Sequence, residues 1–312
     1  MARRGGDPLA ERRKASVPTF KDAAARVHRE QIVPTSRNGK HKDQWLTTLE
    51  HYVHPVIGEM NVDAVSSADV LRVLSKLWIE KPETARRVKQ RMQTVFAWAR
   101  QAGYRDAANP VDDVATALPR QREKTQHFAA LNWQDVPAFW QDLQNQEGVA
   151  AKALSFLILN AARTGEVIGA RWEEIDFDTA VWTIPASRMK TGIEHRKPLP
   201  TAALVILNEM KERGGSYIFP GQRNDRPLSN MAMLTLLKRM QRSDMTVHGF
   251  RTSFRVWAAE QTDTPREIAE MCLAHDISSD VERAYSRTDY FQKRSKLMVK
   301  WAAWCMAARG AQ

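Results

Sequence analysis

The stretch Pro119-Arg120-Gln121-Arg122-Glu123-Lys124-Thr125-Gln126 constrains this chain most, because it is charged and has almost no apolar content. Such a segment has nothing to bury and reads as a semi-extended linker. It divides the 312 residues into two bodies, each long enough to enclose its own core. Residues 1–124 hold 23 Lys+Arg against 15 Asp+Glu, a net of +8; the remainder hold 24 against 21, a net of +3. A cationic surface of this kind suits a nucleic-acid partner. The 43% apolar and 27% charged content is that of a globular protein. No run approaches the ~18 apolar residues of a membrane helix, so no membrane partner is expected. The first residues lack the apolar core of a secretory signal, which predicts a cytoplasmic protein. Cys272 and Cys305 cannot build a disulfide framework, and no Cys-x-x-Cys pair offers a zinc site.

Residues 1–18 are polar and basic and read as a loose arm. From Thr19 the pattern turns helical: Phe20, Ala23, Ala24 and Val27 share one face, and Trp45, Leu49 and Tyr52 another. Ser66-Ser67-Ala68-Asp69 opens a third helix carrying Val70, Leu71, Leu74 and Leu77. A fourth begins with Arg86-Arg87-Val88-Lys89-Gln90-Arg91 and continues through Met92, Val95, Phe96 and Ala99. Arg86, Arg87, Lys89 and Arg91 would lie against phosphates, although a charge run at a helix start is equally the pattern of a solvated face. Residues 19–118 thus predict a compact helical domain, 119–126 the linker, and 127–312 a second domain.

In the second domain the periodicity predicts helices over 133–144, 149–162, 201–212, 229–241, 247–261 and 265–273, with a last one after Phe291. Val181-Trp182-Thr183-Ile184 and the extended piece before Pro200, separated by a turn at Thr191-Gly192, predict a small antiparallel hairpin. The fold class is mainly α with a small antiparallel β-sheet. Several chemistries are missing. Gly39-Lys40 is followed by His41 and lacks the spacing of a phosphate-binding loop, and neither G-x-G-x-x-G nor G-x-S-x-G occurs in context. Asp176-x-Asp178 precedes a strand and reads as a turn, not as a metal site.

Thr246 is a candidate N-cap, with Phe250, Phe254 and Trp257 on one stripe of the helix it opens and His248 and Arg251 on another. Thr264-Pro265-Arg266-Glu267 reads as a capping box with Pro at the first helical position. That helix runs to Leu273-Ala274-His275; Ser279-x-x-Glu282 opens a short one containing Tyr285. Upstream, Arg163-Thr164-Gly165-Glu166 joins two helices, and Lys190 lies at the hairpin tip.

In this order, the pieces resemble the tyrosine recombinases, the phage-integrase family. Arg163 with Glu166 resembles the family's first arginine and its supporting acid, and Lys190 in Met189-Lys190-Thr191-Gly192 the hairpin lysine. His248-Gly249-Phe250-Arg251 resembles the His-x-x-Arg motif, and Leu273-Ala274-His275 the Leu-Gly-His motif. Tyr285, ten residues on, is similar to the nucleophile. Ala274 replaces the commoner Gly, a change that a backbone with φ < 0 would accommodate. The resemblance is strong over 127–312 and looser over 19–118, where the helical domain looks like the core-binding half of a two-domain clamp on DNA. Gly6-Asp7-Pro8-Leu9 resembles the end of an arm-site domain.

The resemblance implies a site-specific integrase of a prophage or genomic island, working in the bacterial cytoplasm. Its implied partners are double-stranded DNA attachment sites, further copies of itself in a tetramer, and accessory DNA-bending or excisionase proteins. Arg163 and Arg251 would clamp the scissile phosphate, Tyr285 attack it, Lys190 protonate the leaving oxygen and His248 help take the tyrosine proton. His275 would hydrogen-bond the phosphate, and Glu166 orient a neighbouring Arg or His. No metal or cofactor is implied. Tyr290 is a rival nucleophile, and Arg188, His195, Arg196 and Lys197 are alternatives to Lys190. A type IB topoisomerase or a catalytically silent DNA-binding regulator on the same scaffold are the competing functions. The final helix, with Leu297, Trp301, Trp304 and Cys305 on one face, would pack on its own domain or on a neighbouring protomer.

Overall fold

The computed structural model describes residues 17–35, 39–121, 129–223, 225–275 and 288–307. The chain divides into two compact units, with the boundary at Lys124 and Thr125. In the first unit, α1 (Phe20–Val27) is capped by Thr19, whose hydroxyl accepts from the Asp22 amide. Helix α2 spans Gly39–Tyr52, α3 Ser67–Glu80 and α4 Pro82–Gln101. A capping box between Ser66 and Asp69 starts α3, satisfying two of the amide groups a helix N-terminus leaves open. The apolar faces meet in one core containing Phe20, Leu49, Leu74, Val88, Met92 and Phe96.

The cationic start of α4 is not uniform. Arg87 is exposed and pairs with Glu83 one turn earlier, Arg86 Nε donates to Gln121 Oε1 at 2.6 Å, and Lys89 is half-buried. Arg91 is buried and donates to the carbonyls of Gln44 and Trp45 at 2.8 and 3.2 Å. This corrects its expected place on DNA. At 3.6 residues per turn Arg91 follows Val88 and precedes Val95 on the inward stripe, so its position in a charge run says nothing about the side it faces.

The second unit is built around α6 (Val149–Leu159), whose side chains from Ala153 to Leu159 are all buried. Around it stand α5 (Val136–Gln144), the short α7 (Thr164–Ile168), α8 (Thr201–Lys211), α9 (Ala232–Arg239), α10 (Gly249–Gln261), α11 (Arg266–Cys272) and α12 (Phe291–Cys305). The hairpin forms as expected but has a third strand. Strands β1 (Ile175–Asp176), β2 (Val181–Ile184) and β3 (His195–Pro198) run antiparallel in that order, with Trp182 opposite both Ile175 and Lys197. Asp176 Oδ1 accepts from the amides of Asp178 and Thr179, which is a turn cap.

Helix α12 packs on its own domain. Trp301 is fully buried and its Nε1 donates to the Ile158 carbonyl at 2.8 Å, while Trp304 Nε1 donates to Trp133 O at 3.2 Å. The capping box expected at Thr264–Glu267 is not made: Pro265 is itself the N-cap, with extended backbone and no side-chain cap bond. The helix therefore starts one residue later than the sequence suggests.

Candidate active site

Two helix C-termini converge in the second unit, and they end in the same way. After α6, Ala161 adopts φ +43°, and the amides of Ala161 and Ala162 turn back to the carbonyls of Ile158 and Leu157. After α11, Ala274 adopts φ +51°, and the amides of Ala274 and His275 turn back to Met271 and Glu270. Both are Schellman endings, in which a left-handed residue reverses the chain. The expectation of φ < 0 at Ala274 is thus wrong. The preference for Gly in this motif reflects a left-handed conformation that a Cβ makes unfavourable.

Such endings leave outward carbonyls and the negative end of the helix dipole, and cations settle there. Three cations do so. Arg251, in the first turn of α10 and 3% exposed, donates to Ala161 O at 2.6 Å and Leu273 O at 2.5 Å. Lys197, from β3 and 2% exposed, donates to Asn160 O at 3.2 Å and Cys272 O at 2.9 Å. Arg163, half-buried between α6 and α7, donates to Ala274 O at 3.1 Å. Each cation ties one or both helix ends to another element, so the motifs that stand far apart in sequence are stitched at one point.

Glu166 bonds Arg163 twice. One of its oxygens accepts from the Arg163 backbone amide at 2.9 Å and the other from Nη1 at 2.8 Å. Burial alone would raise the Glu166 pKa, but Lys197 and these Arg163 bonds outweigh it and hold the carboxyl below its ordinary 4.5. Burial, only partly opposed by Glu166, lowers Lys197 to about 8. Burial and the nearby Arg163 bring Arg251 to about 10, so it stays charged at neutral pH. This concentration of positive charge at the junction favours an anion.

His275 follows Ala274 directly. Its Nε2 lies 3.0 Å from Arg251 Nη2 and its Nδ1 2.6 Å from Glu270 Oε2. His248 is at the N-cap of α10, in a turn that Thr246 closes by accepting from the Gly249 amide at 3.0 Å. Gly249 permits this placement: a Cβ there would meet Ala129 O at 2.5 Å. Partial burial, then the charges of Arg251 and Arg163, lower the His248 pKa below 6.5 and favour the neutral imidazole. The structure therefore brings together Arg163, Glu166, Arg251, His248 and His275.

Lys190 lies in the exposed turn between β2 and β3, closed by the Gly192 amide on Met189 O at 3.0 Å, and enters none of these bonds. Of its alternatives, Arg188 is committed to Glu174 and the Glu166 carbonyl. Arg196 packs over Phe291, and Lys197 is enclosed. His195 is largely buried beside Arg294 and is driven by burial, Lys197 and Arg294 down to about 2. Tyr285 and the Ser279–Glu282 box lie outside the described residues. Tyr290, the rival nucleophile, precedes α12 with φ +49°. Among the described residues no group of His, Cys, Asp or Glu side chains is placed to hold a metal, and no helix is long and apolar enough to cross a membrane.

Sequence reasoning missed Glu270 and took Lys197 only as a substitute for Lys190. The signal for Glu270 was its place five residues before His275, since a Schellman ending lays those two positions side by side.

Comparison with known proteins identifies the family. The model of the phage integrase family matches residues 130–291 and that of the phage integrase central domain residues 20–117. Prophage integrase IntZ of Escherichia coli K12 is 33% identical over 260 residues, 82% of this chain and 64% of the relative. The integrase of enterobacteria phage P4 is 30% identical over 284 residues, 84% of this chain and 64% of the relative. The chain thus spans a little under two thirds of these relatives' length. A lambda integrase structure shares the fold with a TM-score of 0.69 at 17% identity, covering 90% of this chain and 84% of that one. The chain belongs to the phage integrase family of tyrosine recombinases.

Proposed function

We propose that this protein is a site-specific DNA recombinase that cleaves and rejoins strands through a 3′-phosphotyrosyl intermediate, integrating and excising a mobile element. The observation that carries the proposal is the convergence of Arg163, Arg251, His248 and His275 on two helix ends. Phosphoryl transfer to a protein nucleophile needs a charge clamp, a nucleophile and an acid for the leaving oxygen. Arg163 and Arg251 supply the clamp and arrive already oriented, so little reorganisation is needed when a phosphate binds. Tyr285 attacks, and the phosphorus–oxygen bond to the 5′ sugar oxygen breaks. His248 helps take the tyrosine proton, and Lys190, on its turn, gives one to the leaving oxygen. The phosphotyrosyl ester keeps the energy of the bond for rejoining.

The helical unit, residues 19–118, would add backbone contacts through Arg86, Arg87 and Lys89, with 119–126 as linker, 127–312 as catalytic domain and 1–18 as a basic arm. Its partners would be duplex attachment sites and further copies of itself, with accessory DNA-bending or excisionase proteins, in the bacterial cytoplasm. The lambda integrase neighbours are described as a dimer on a core site and a tetramer on a Holliday junction, which supports assembly on paired sites.

The test is a suicide duplex spanning an attachment junction and nicked beside the scissile phosphate. The wild-type protein should form a covalent adduct that Tyr285→Phe does not. An adduct that survives in Tyr285→Phe, or none with wild type, sinks the proposal.

A further inference from the structure

In a Schellman ending the side chains at the third-last helical position and two beyond the cap lie against each other, and an apolar pair is common there. After α11 those residues are Glu270 and His275, and they meet through a hydrogen bond of 2.6 Å. Glu270 is fixed from a second helix too: Arg255 of α10 donates to its other oxygen at 2.7 Å, and Arg266 stands 3.8 Å away. The carboxyl is 12% exposed. Burial would raise its pKa, but the bonds from Arg255 and His275 outweigh this and keep it below 4.5, hence ionised at neutral pH.

The chemistry of the two neighbours then determines the proton on the ring. An ionised carboxylate only accepts, so Nδ1 carries the hydrogen; a guanidinium only donates, so Nε2, facing Arg251 at 3.0 Å, carries the lone pair. We infer that Glu270 is a positioning residue of the recombination site, holding His275 as the Nδ1–H tautomer with Nε2 aimed at Arg251 and the phosphate. The inference rests on the recombinase reading of the site. In this form the ring steadies Arg251 by accepting from it. The ring can donate to a phosphate oxygen only when Nε2 also carries a hydrogen.

The experiment compares wild type with E270L, E270Q, H275A and the double variant E270L/H275A. Nitrogen-15 chemical shifts of the His275 ring, recorded without DNA, report the tautomer. Single-turnover cleavage of the nicked attachment-junction duplex, together with its retention by the protein, reports function. In wild type Nδ1 carries the hydrogen; in E270L only Arg251 still opposes the Nε2–H form, which becomes measurably populated. Cleavage by E270L falls about tenfold to a hundredfold, the range for losing an orienting partner, with retention unchanged. Because Glu270 acts through His275, E270L/H275A is no slower than H275A. E270Q is isosteric and keeps an acceptor at Nδ1, so it retains the Nδ1–H form and loses less than E270L.

A ring that stays wholly Nδ1–H in E270L, losses that multiply in the double variant, or a well-folded E270Q as slow as H275A each overturn the assignment. Wild-type protein that forms no adduct overturns the recombinase reading instead. The ring shifts, which need no DNA, still decide the role of Glu270.

Discussion

Both units bury arginines against backbone carbonyls, but to different ends. In the first unit Arg105 donates to Val62 and Val65 at 2.8 and 2.9 Å and to Ala108 at 3.1 Å. Arg91 is spent similarly on Gln44 and Trp45. Burial lowers the pKa of both, but the described hydrogen bonds of each run to carbonyls alone. In the second unit Arg163 and Arg251 are tied to helix-end carbonyls as well, yet they stand beside His248, His275 and Glu166. A buried arginine surrounded by carbonyls is a brace. One whose neighbours are imidazoles, a carboxylate and another arginine is, on the proposed reading, a clamp for an anion.

The sharpest way to break that comparison is to remove one arginine of each kind. Arg163→Ala should reduce adduct formation per folded molecule by about a hundredfold to a thousandfold, the cost of losing one donor to a transition-state oxyanion, and it also lowers the melting temperature because Glu166 and the Ala274 carbonyl lose a partner. Arg105→Met should lower stability alone. It leaves at least two buried carbonyls unpaired at about 1–3 kcal/mol each, so the domain melts earlier while the folded fraction cleaves normally. Paired melting and single-turnover measurements check both. Normal cleavage by Arg163→Ala would place it with the braces.

The difference between the two kinds of arginine is also where sequence reasoning succeeded and failed. The order Arg163, Glu166, His248, Arg251, His275 was legible because each motif has a fixed local spacing. Packing then brought the motifs to one point. Helices and hairpin were legible from periodicity. Arg91 misled because a run of charge says nothing about which side of a helix each residue faces, whereas its spacing from Val88 and Val95 did. Glu270 was missed because its five-residue spacing from His275 becomes a contact only at a Schellman ending, whose geometry follows from a backbone angle rather than a side-chain pattern. The left-handed angle at Ala274 hid for the same reason: alanine there reads as an ordinary helix former.

Burial, together with the positive charge crowded around His195 in the second unit, predicts an acid sensitivity. His195 has an ordinary pKa of 6.5 but about 2 in the folded protein, through burial and then Lys197 and Arg294. Below pH 6.5 the unfolded chain takes up a proton that the folded one refuses. The stability present above that pH is therefore lost progressively as pH falls, at up to about 1.4 kcal/mol per unit. His54 and His248, also lowered, act in the same direction. His195→Gln should thus reduce the slope of unfolding free energy between pH 6.5 and 5 by about one proton without abolishing it. An unchanged slope in urea titrations would mean that His195 is protonated in the fold.

The smallest effect concerns the two alanines that end α6 and α11. An L-residue in the left-handed region costs about 1–2 kcal/mol, and glycine escapes this at an entropic cost of about 0.5–1 kcal/mol. Ala274→Gly should therefore stabilise the protein by about 0.5–1 kcal/mol, because its methyl is slightly exposed and gives up little contact. Ala161 has a similar angle, φ +43°, but is fully buried. Removing its methyl loses packing as well, and Ala161→Gly should gain less than Ala274→Gly or nothing. Both helix ends hold the arginines through carbonyls that glycine also supplies, so cleavage by Ala274→Gly should match wild type. If that variant is more stable yet slower, the alanine's stiffness is itself holding Arg163 and His275 in register. The strain at residue 274 would then belong to the site rather than to the scaffold.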